Sequence, residues 1–165
     1  MLQAPPSLSS NIFSITAGAK RVAIEQALIL AAGRGVRMGH RGHSIPKGFI
    51  EVGGQALVAR SLALLAGSGV RDVTIVTGHL ADFYEKLPPL AGVAVTTLHN
   101  PQFAEKGSFE SLRVGLAAMR GTFLLLESDI IYEPRALASD RGLATGGDFD
   151  DIEVLLTHEA QIASA

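Results

Sequence analysis

Short apolar runs alternate along this chain with stretches of helical spacing, and turn residues stand between them. Gln26 to Ala31 is apolar and ends in small residues, the pattern of a buried strand. Phe49 to Val52 predicts a short strand, and Gly53-Gly54 a turn. Ala56 to Ala66 carries Leu57, Leu62, Leu64 and Leu65 on a helical pattern, closed by Gly67. Asp72 to Thr77 is the next buried strand. Leu80 to Leu87 predicts a short helix that Pro88-Pro89 stops. Val93 to Leu98 is a strand, Phe109 to Met119 a helix, and Thr122 to Leu126 another apolar strand. Pro134 suits the first turn of a short helix reaching about Ala138. After Ser139 the chain turns polar, with Asp140, Asp148, Asp150 and Asp151 among glycines, before a last candidate strand at Ile152 to Thr157. Alternating strand and helix predicts an α/β fold on a parallel sheet.

The segment from Ala32 to Lys47 is long for a connection in a compact domain, which points to function. It opens with Ala31, Ala32, Gly33, Arg34 and Gly35, then Arg37, and closes on Pro46-Lys47. Glycine lets the backbone approach a ligand closely, and successive N–H groups in such a turn form a concave anion site. Arg37 and Lys47 add fixed positive charge, so the segment can cradle a polyphosphate. A plain tight turn is the alternative. Two better-known glycine loops are excluded. Lys47 lies between Pro46 and Gly48, whereas a P-loop needs Lys followed by Ser or Thr. Met38 occupies the position where a dinucleotide fingerprint needs its third small residue.

Other candidates fall at the carboxyl ends of later strands, where open α/β sheets bind ligands. Ser108 opens the Phe109 helix and is either an N-cap or a contact to a bound nucleotide or acceptor, with Ser111 one turn on. Glu127 and Asp129 are two apart, so on an extended segment both carboxylates face one side. There they can hold Mg²⁺, which prefers carboxylate and phosphate oxygen. Chance acidic residues at a strand end are the alternative. His40 and His43 have no nearby carboxylate or third histidine, which favours a solvated loop over a metal pair.

Composition narrows the picture. The chain has 165 residues and is 47% hydrophobic, enough for one domain with a sizeable core. A formal net charge of -2 provides no global basic field, so nucleic acid is not an expected partner. The absence of cysteine removes disulfides and thiolate metal sites. No apolar run is long enough to span a bilayer. The start lacks a basic region ahead of an apolar one, so no signal peptide is expected and a cytoplasmic location is. Pro5-Pro6 with Ser7, Ser9 and Ser10 favours irregular backbone, and residues 1–22 are expected to be an extension or linker before a domain at 23–165.

The longer pattern is more specific than its parts. Leu30-Ala31-Ala32-Gly33-x-Gly35-x-Arg37-Met38, then Pro46-Lys47, resembles the signature loop of the sugar-phosphate and alcohol-phosphate nucleotidyltransferases. Phe49 to Leu57 and Gly69 to Gly78 continue the resemblance. Asn100-Pro101-x-Phe103 with Lys106 to Leu112, and Leu124 to Glu133, are similar to the cytidylyltransferases acting on phosphocholine and on 2-aminoethylphosphonate, the latter more closely. The resemblance covers about Ala27 to Leu137. It implies an open, mostly parallel Rossmann-like sheet with helices on both faces, of the nucleotide-diphospho-sugar transferase kind and incomplete at its C-terminus. A later acidic metal ligand of that family has no clear match; Asp148, Asp150 and Asp151 are the candidates.

What the resemblance implies is attack of a phosphonate or phosphate oxygen on the α-phosphorus of CTP, with release of pyrophosphate. Arg37 would neutralise the β- and γ-phosphates, and Lys47 would bridge the α-phosphate and the acceptor. Ala31 to Gly35, with Ser108 and Ser111, would hold the nucleotide. Asp129, with Glu127, would hold Mg²⁺, and Tyr132 and Glu133 would meet a cationic amine on the acceptor. A methylerythritol-phosphate cytidylyltransferase or another NTP transferase is the runner-up, and a truncated non-catalytic nucleotide-binding module the rival of another class. An uncovered sheet edge would favour homo-oligomers.

Overall fold

The computed structural model describes residues 24–134. The expected N-terminal extension, the helix after Pro134, the last strand and the aspartates after Ser139 lie outside the described residues.

Four parallel strands form the sheet: β1 (Gln26–Ala31), β4 (Asp72–Thr77), β5 (Ala94–His99) and β6 (Phe123–Glu127), in the order β5-β4-β1-β6. Central β1 and β4 are buried on both faces beyond their first residue; β1 is accordingly apolar after Gln26, and β4 carries Val, Ile and two buried threonines after Asp72. The outer β5 instead alternates exposed and partly buried positions. Successive β1 side chains take opposite faces. Ala27, Ile29 and Ala31 join Val58, Leu62 and Leu65 of α2 (Leu57–Gly67) in one core. Leu28 and Leu30 join Val76 and Phe123 on the other, under Leu112 and Leu116 of α4 (Ser108–Leu116). Helices therefore cover both faces. Helix α4 sits close to the sheet at Gly115, where a Cβ would lie 2.5 Å from Leu28 Cδ1 and 2.9 Å from Val76 Cγ2.

Several local expectations need correction. Phe49 is not in a strand. It ends a 3-10 turn, Lys47–Phe49, and packs edge-on to Phe83 and Tyr84 at centroid distances of 5.3 and 5.1 Å. The strand shrinks to β2 (Glu51–Val52), paired antiparallel with β3 (Gln55–Ala56). Gly53 and Gly54, at φ 63° and 77°, supply the two left-handed residues that this hairpin turn requires. Gly67 is the last residue of α2 rather than its stop; Gly69, at φ 97°, turns the chain into β4. The helix expected from Leu80 shortens to α3 (Asp82–Glu85), because Leu80 takes a left-handed φ of 54°. The long loop after β1 holds a 3-10 turn, Val36–Met38, and a short helix, α1 (Arg41–Ser44). Ser108 is not an N-cap: extended Gly107 takes that place, with no side-chain cap.

Candidate active site

After β1 the chain adds β4 and β5 on one side, then returns to place β6 on the other. The chain thus reverses its direction of travel across the sheet between β1 and β6, and the carboxyl ends at such switch points are where open α/β sheets bind ligands. A cleft opens there. Leu30 and Ala31 of β1 with Ala32 and Gly33 just past it, and Glu127 of β6 with Ser128 and Asp129 just past it, wall it together with Lys47 and with Ser108 and Ser111 of α4. Segments more than 80 positions apart in sequence meet in it.

Lys47 Nζ donates to Asp129 Oδ2 at 2.8 Å. Both side chains keep about a third of their surface exposed, at 29% and 32%. Asp129 lies past the strand end, so the carboxylates are not the extended pair expected from their spacing; both nonetheless line the cleft. Glu127 is half-buried, and its pKa is raised by burial first and by the Asp129 charge second, with Lys47 opposing. Tyr132 steadies the turn between them: its hydroxyl accepts the Glu127 N–H at 2.8 Å and lies 3.4 Å from the Glu127 carbonyl oxygen. Its ring packs on the core, and burial raises the phenol pKa. Tyr132 and Glu133 do not line the cleft.

The opposite wall rests on Asn100, which is fully buried. Its Nδ2 donates to Ser111 Oγ at 3.0 Å, and its Oδ1 accepts the Gln102 N–H at 2.9 Å, so one side chain fixes both the loop after β5 and the buried Ser111. Glu110 accepts from Arg113 Nη2 at 2.7 Å and lies 3.9 Å from Lys106 Nζ on the cleft rim. The Arg113 bond holds the Glu110 carboxyl below its usual range, and burial opposes that.

The glycine loop divides. Ala31, Ala32 and Gly33 line the cleft, and nothing lies within 4 Å of a Cβ built on Gly33. Gly35 is buried outside it at φ 62°, where a Cβ would meet Met38 Sδ at 3.3 Å and the Lys47 stem at 3.5 Å. Its conformation lets the loop fold back on Lys47. Arg34 and Arg37 are exposed and do not line the cleft. His40 and His43 are exposed, and among the described residues no three histidines or carboxylates gather as a metal site.

Sequence reasoning did not assign site roles to Phe103, Lys106, Gly107 or Ser128, all on the cleft wall. Asn100 and Phe103 stood in the Asn100-Pro101-x-Phe103 stretch that carried the resemblance. The close packing of Phe103 on Gly78, where a Cβ would fall 2.5 Å from the Phe103 Cβ, and the buried Tyr84 had no signal beyond residue type.

Known proteins resemble this chain in sequence and in fold. The chain is 33% identical over 114 residues to the CMP-5'-(3-aminopropyl)phosphonate synthase of Streptomyces rubellomurinus, covering 68% of this chain and 18% of that protein. It is 36% identical over 109 residues to the bifunctional IPC transferase and DIPP synthase of Thermococcus kodakarensis, covering 66% and 24%. The inositol-1-phosphate CTP transferase structure from T. maritima superposes with a TM-score of 0.61 at 25% identity, over 73% of this chain and 49% of that one. The chain therefore spans less than half the length of each. Residues 27–145 match the MobA-like NTP transferase domain, and the chain belongs to that nucleotidyltransferase family.

Proposed function

We propose that this chain transfers a cytidylyl group from CTP to a small phosphonate or phosphate, with 2-aminoethylphosphonate and phosphocholine the first acceptors to try. The observation that carries the reading is the Lys47–Asp129 pair at 2.8 Å, set at the switch point beside a half-buried Glu127. A cation and two carboxylates together suit a polyphosphate that brings its own metal. Relatives named for CMP-phosphonate synthesis and CTP transfer support the nucleotide and the acceptor class.

In this reading an acceptor oxygen attacks the α-phosphorus, forming a P–O bond. The bond from α-phosphorus to the bridging oxygen breaks, and pyrophosphate leaves with the electron pair. An ionised acceptor needs no proton removed. Lys47 holds the α-phosphate and acceptor together, so much of its effect is positioning and charge stabilisation. Ala31 to Gly33 offer backbone to the phosphates, with Gly35 folding the loop; Arg34 and Arg37, exposed outside the cleft, would reach the outer phosphates only through a movement of the loop. Ser108 and Ser111 face the nucleoside.

Glu127 and Asp129 fit a divalent metal. Their crowded negative charge would be relieved by a hard cation, and Mg²⁺ commonly binds one or two carboxylates plus substrate phosphate. When bound, it supplies charge neutralisation on the phosphates. Tyr132, held by the Glu127 backbone and the core, supports the Glu127 turn rather than the acceptor, and Glu133, outside the cleft, is left as the candidate partner of an acceptor amine.

A second reading has one observation in its favour. No third carboxylate or histidine joins Glu127 and Asp129 among the described residues, which suits a module that binds nucleotide better than it turns it over.

The test is pyrophosphate release from CTP, UTP, ATP and GTP with each acceptor, with and without Mg²⁺, beside calorimetric titration of the four nucleotides. Mg²⁺-dependent release, fastest with CTP, is expected. Equal or better use of GTP overturns the cytidylyl assignment, and tight CTP binding without release selects the second reading.

A further inference from the structure

Tyr84 lies beneath the cleft and has no part in the chemistry above. It is 2% exposed, at the centre of α3, with its ring edge-on to Phe49. Its hydroxyl lies beside the Ser128 side chain and the Gly48 backbone, yet meets no partner at full hydrogen-bond geometry among the described residues. A Cβ on Gly48 would stand 2.8 Å from that hydroxyl and 3.3 Å from both Ser128 Cβ and the Ser128 carbonyl oxygen. Gly48 follows Lys47, and Ser128 precedes Asp129. One oxygen atom therefore touches the neighbour of each member of the ion pair.

We infer that Tyr84 is a positioning residue, whose hydroxyl is the spacer that sets the Lys47 turn against the Asp129 turn, and that Gly48 is glycine to admit it. The two turns belong to different parts of the chain, with no strand pairing between them. The wedge of Tyr84, Gly48 and Ser128 is their common floor. A spacer of this kind matters because displacement of about 1 Å in a phosphate-handling pair can cost as much as 10²-fold in rate. A merely structural role makes the same forecast for stability and the opposite one for catalysis: removing a buried hydroxyl without a well-formed hydrogen bond should leave the fold at least as stable and turnover unchanged.

The inference rests on the nucleotidyltransferase reading, and the experiment separates the two. Tyr84→Phe, Gly48→Ala and the double variant are made in the full chain. Each is measured for melting temperature, MgCTP affinity and steady-state pyrophosphate release. Tyr84→Phe is expected to melt at or above the wild-type temperature, to keep its KM for CTP within about threefold, and to lose about tenfold in kcat. Gly48→Ala is expected to lose affinity and turnover. Adding Tyr84→Phe should restore part of both, because the 2.8 Å clash disappears. If wild type is active and Tyr84→Phe matches it within about twofold in kcat, the spacer role is wrong while the proposed function stands. Failure of Tyr84→Phe to relieve Gly48→Ala in melting temperature and affinity also overturns it. A wild-type chain that neither binds nor turns over CTP overturns both.

Discussion

Lys47 and Asp129, 82 positions apart in sequence, are joined at 2.8 Å from Lys47 Nζ to Asp129 Oδ2. Lys47 stands at the end of the glycine loop, Asp129 just past the end of β6. Each satisfies the other's charge at the place where a polyphosphate and a metal would divide them. Because both are partly exposed, the pair contributes little to folding, in the range of about 0–1 kcal/mol. In the proposed function its main consequence is for binding.

Lys47→Ala should therefore leave the fold standing and remove most of the activity. A melting temperature within a few degrees of wild type is expected, with a loss on the order of 10²–10³ in pyrophosphate release, the scale of a lost charge-stabilising contact. Turnover unchanged in this variant would place phosphate binding elsewhere.

Asp129→Asn frees Lys47 while keeping the shape of the turn. Without metal it should bind CTP about 2–5-fold more tightly than wild type, the size of a surface ion pair. With Mg²⁺ it should lose turnover and most of its metal dependence. Calorimetry with and without EDTA measures both. Tighter metal-free binding separates a self-neutralised site from a pair that is only structural.

Glu127 has a folded pKa raised by burial and by Asp129. The sign follows from proton linkage. A carboxyl that is harder to ionise when folded lowers stability above its folded pKa and has no such effect below the unfolded value. Glu127→Gln removes that cost, so the ligand-free variant should melt higher than wild type at pH 7. The difference should shrink as pH falls through the Glu127 range. The same variant should need more Mg²⁺ for half-maximal activity. Melting curves across pH and a Mg²⁺ titration test both; a lower melting temperature at pH 7 would contradict the burial argument.

Asn100→Ala breaks the support of the opposite wall. It leaves the Gln102 N–H and the buried Ser111 hydroxyl without their partner, at a cost of about 1–3 kcal/mol. For a chain of this size that lowers the melting temperature by roughly 2–12 °C. Nucleotide affinity should fall with it. Ser111→Ala is the milder control, because only one partner is lost.

Much of the fold was legible in the residues. The apolar run of β1 could be read because a parallel strand covered on both faces needs almost no polar positions, and β4 could be read from its β-branched Val, Ile and Thr. The extent of β1 and β4 and the main body of α2 follow from that pattern and from helical spacing. So does the chemistry on offer, since glycines, Lys47, Glu127 and Asp129 keep their chemical character in any fold. Local spacing failed where tertiary contacts overrode it. Phe49 looks like a strand residue but left that conformation to pack on Phe83 and Tyr84. Ser108 looks like an N-cap, but Gly107 holds the extended conformation in front of it. The sequence by itself determined the inventory of the proposed phosphate site. Only the tertiary structure decided who meets whom, because the strand order brings β6 beside β1 and so sets Asp129 against Lys47, while Arg37 stays on the outer surface of its loop. Position along the chain carries no distance across a sheet, and a buried spacer such as Tyr84 takes its place from neighbours that no periodicity announces.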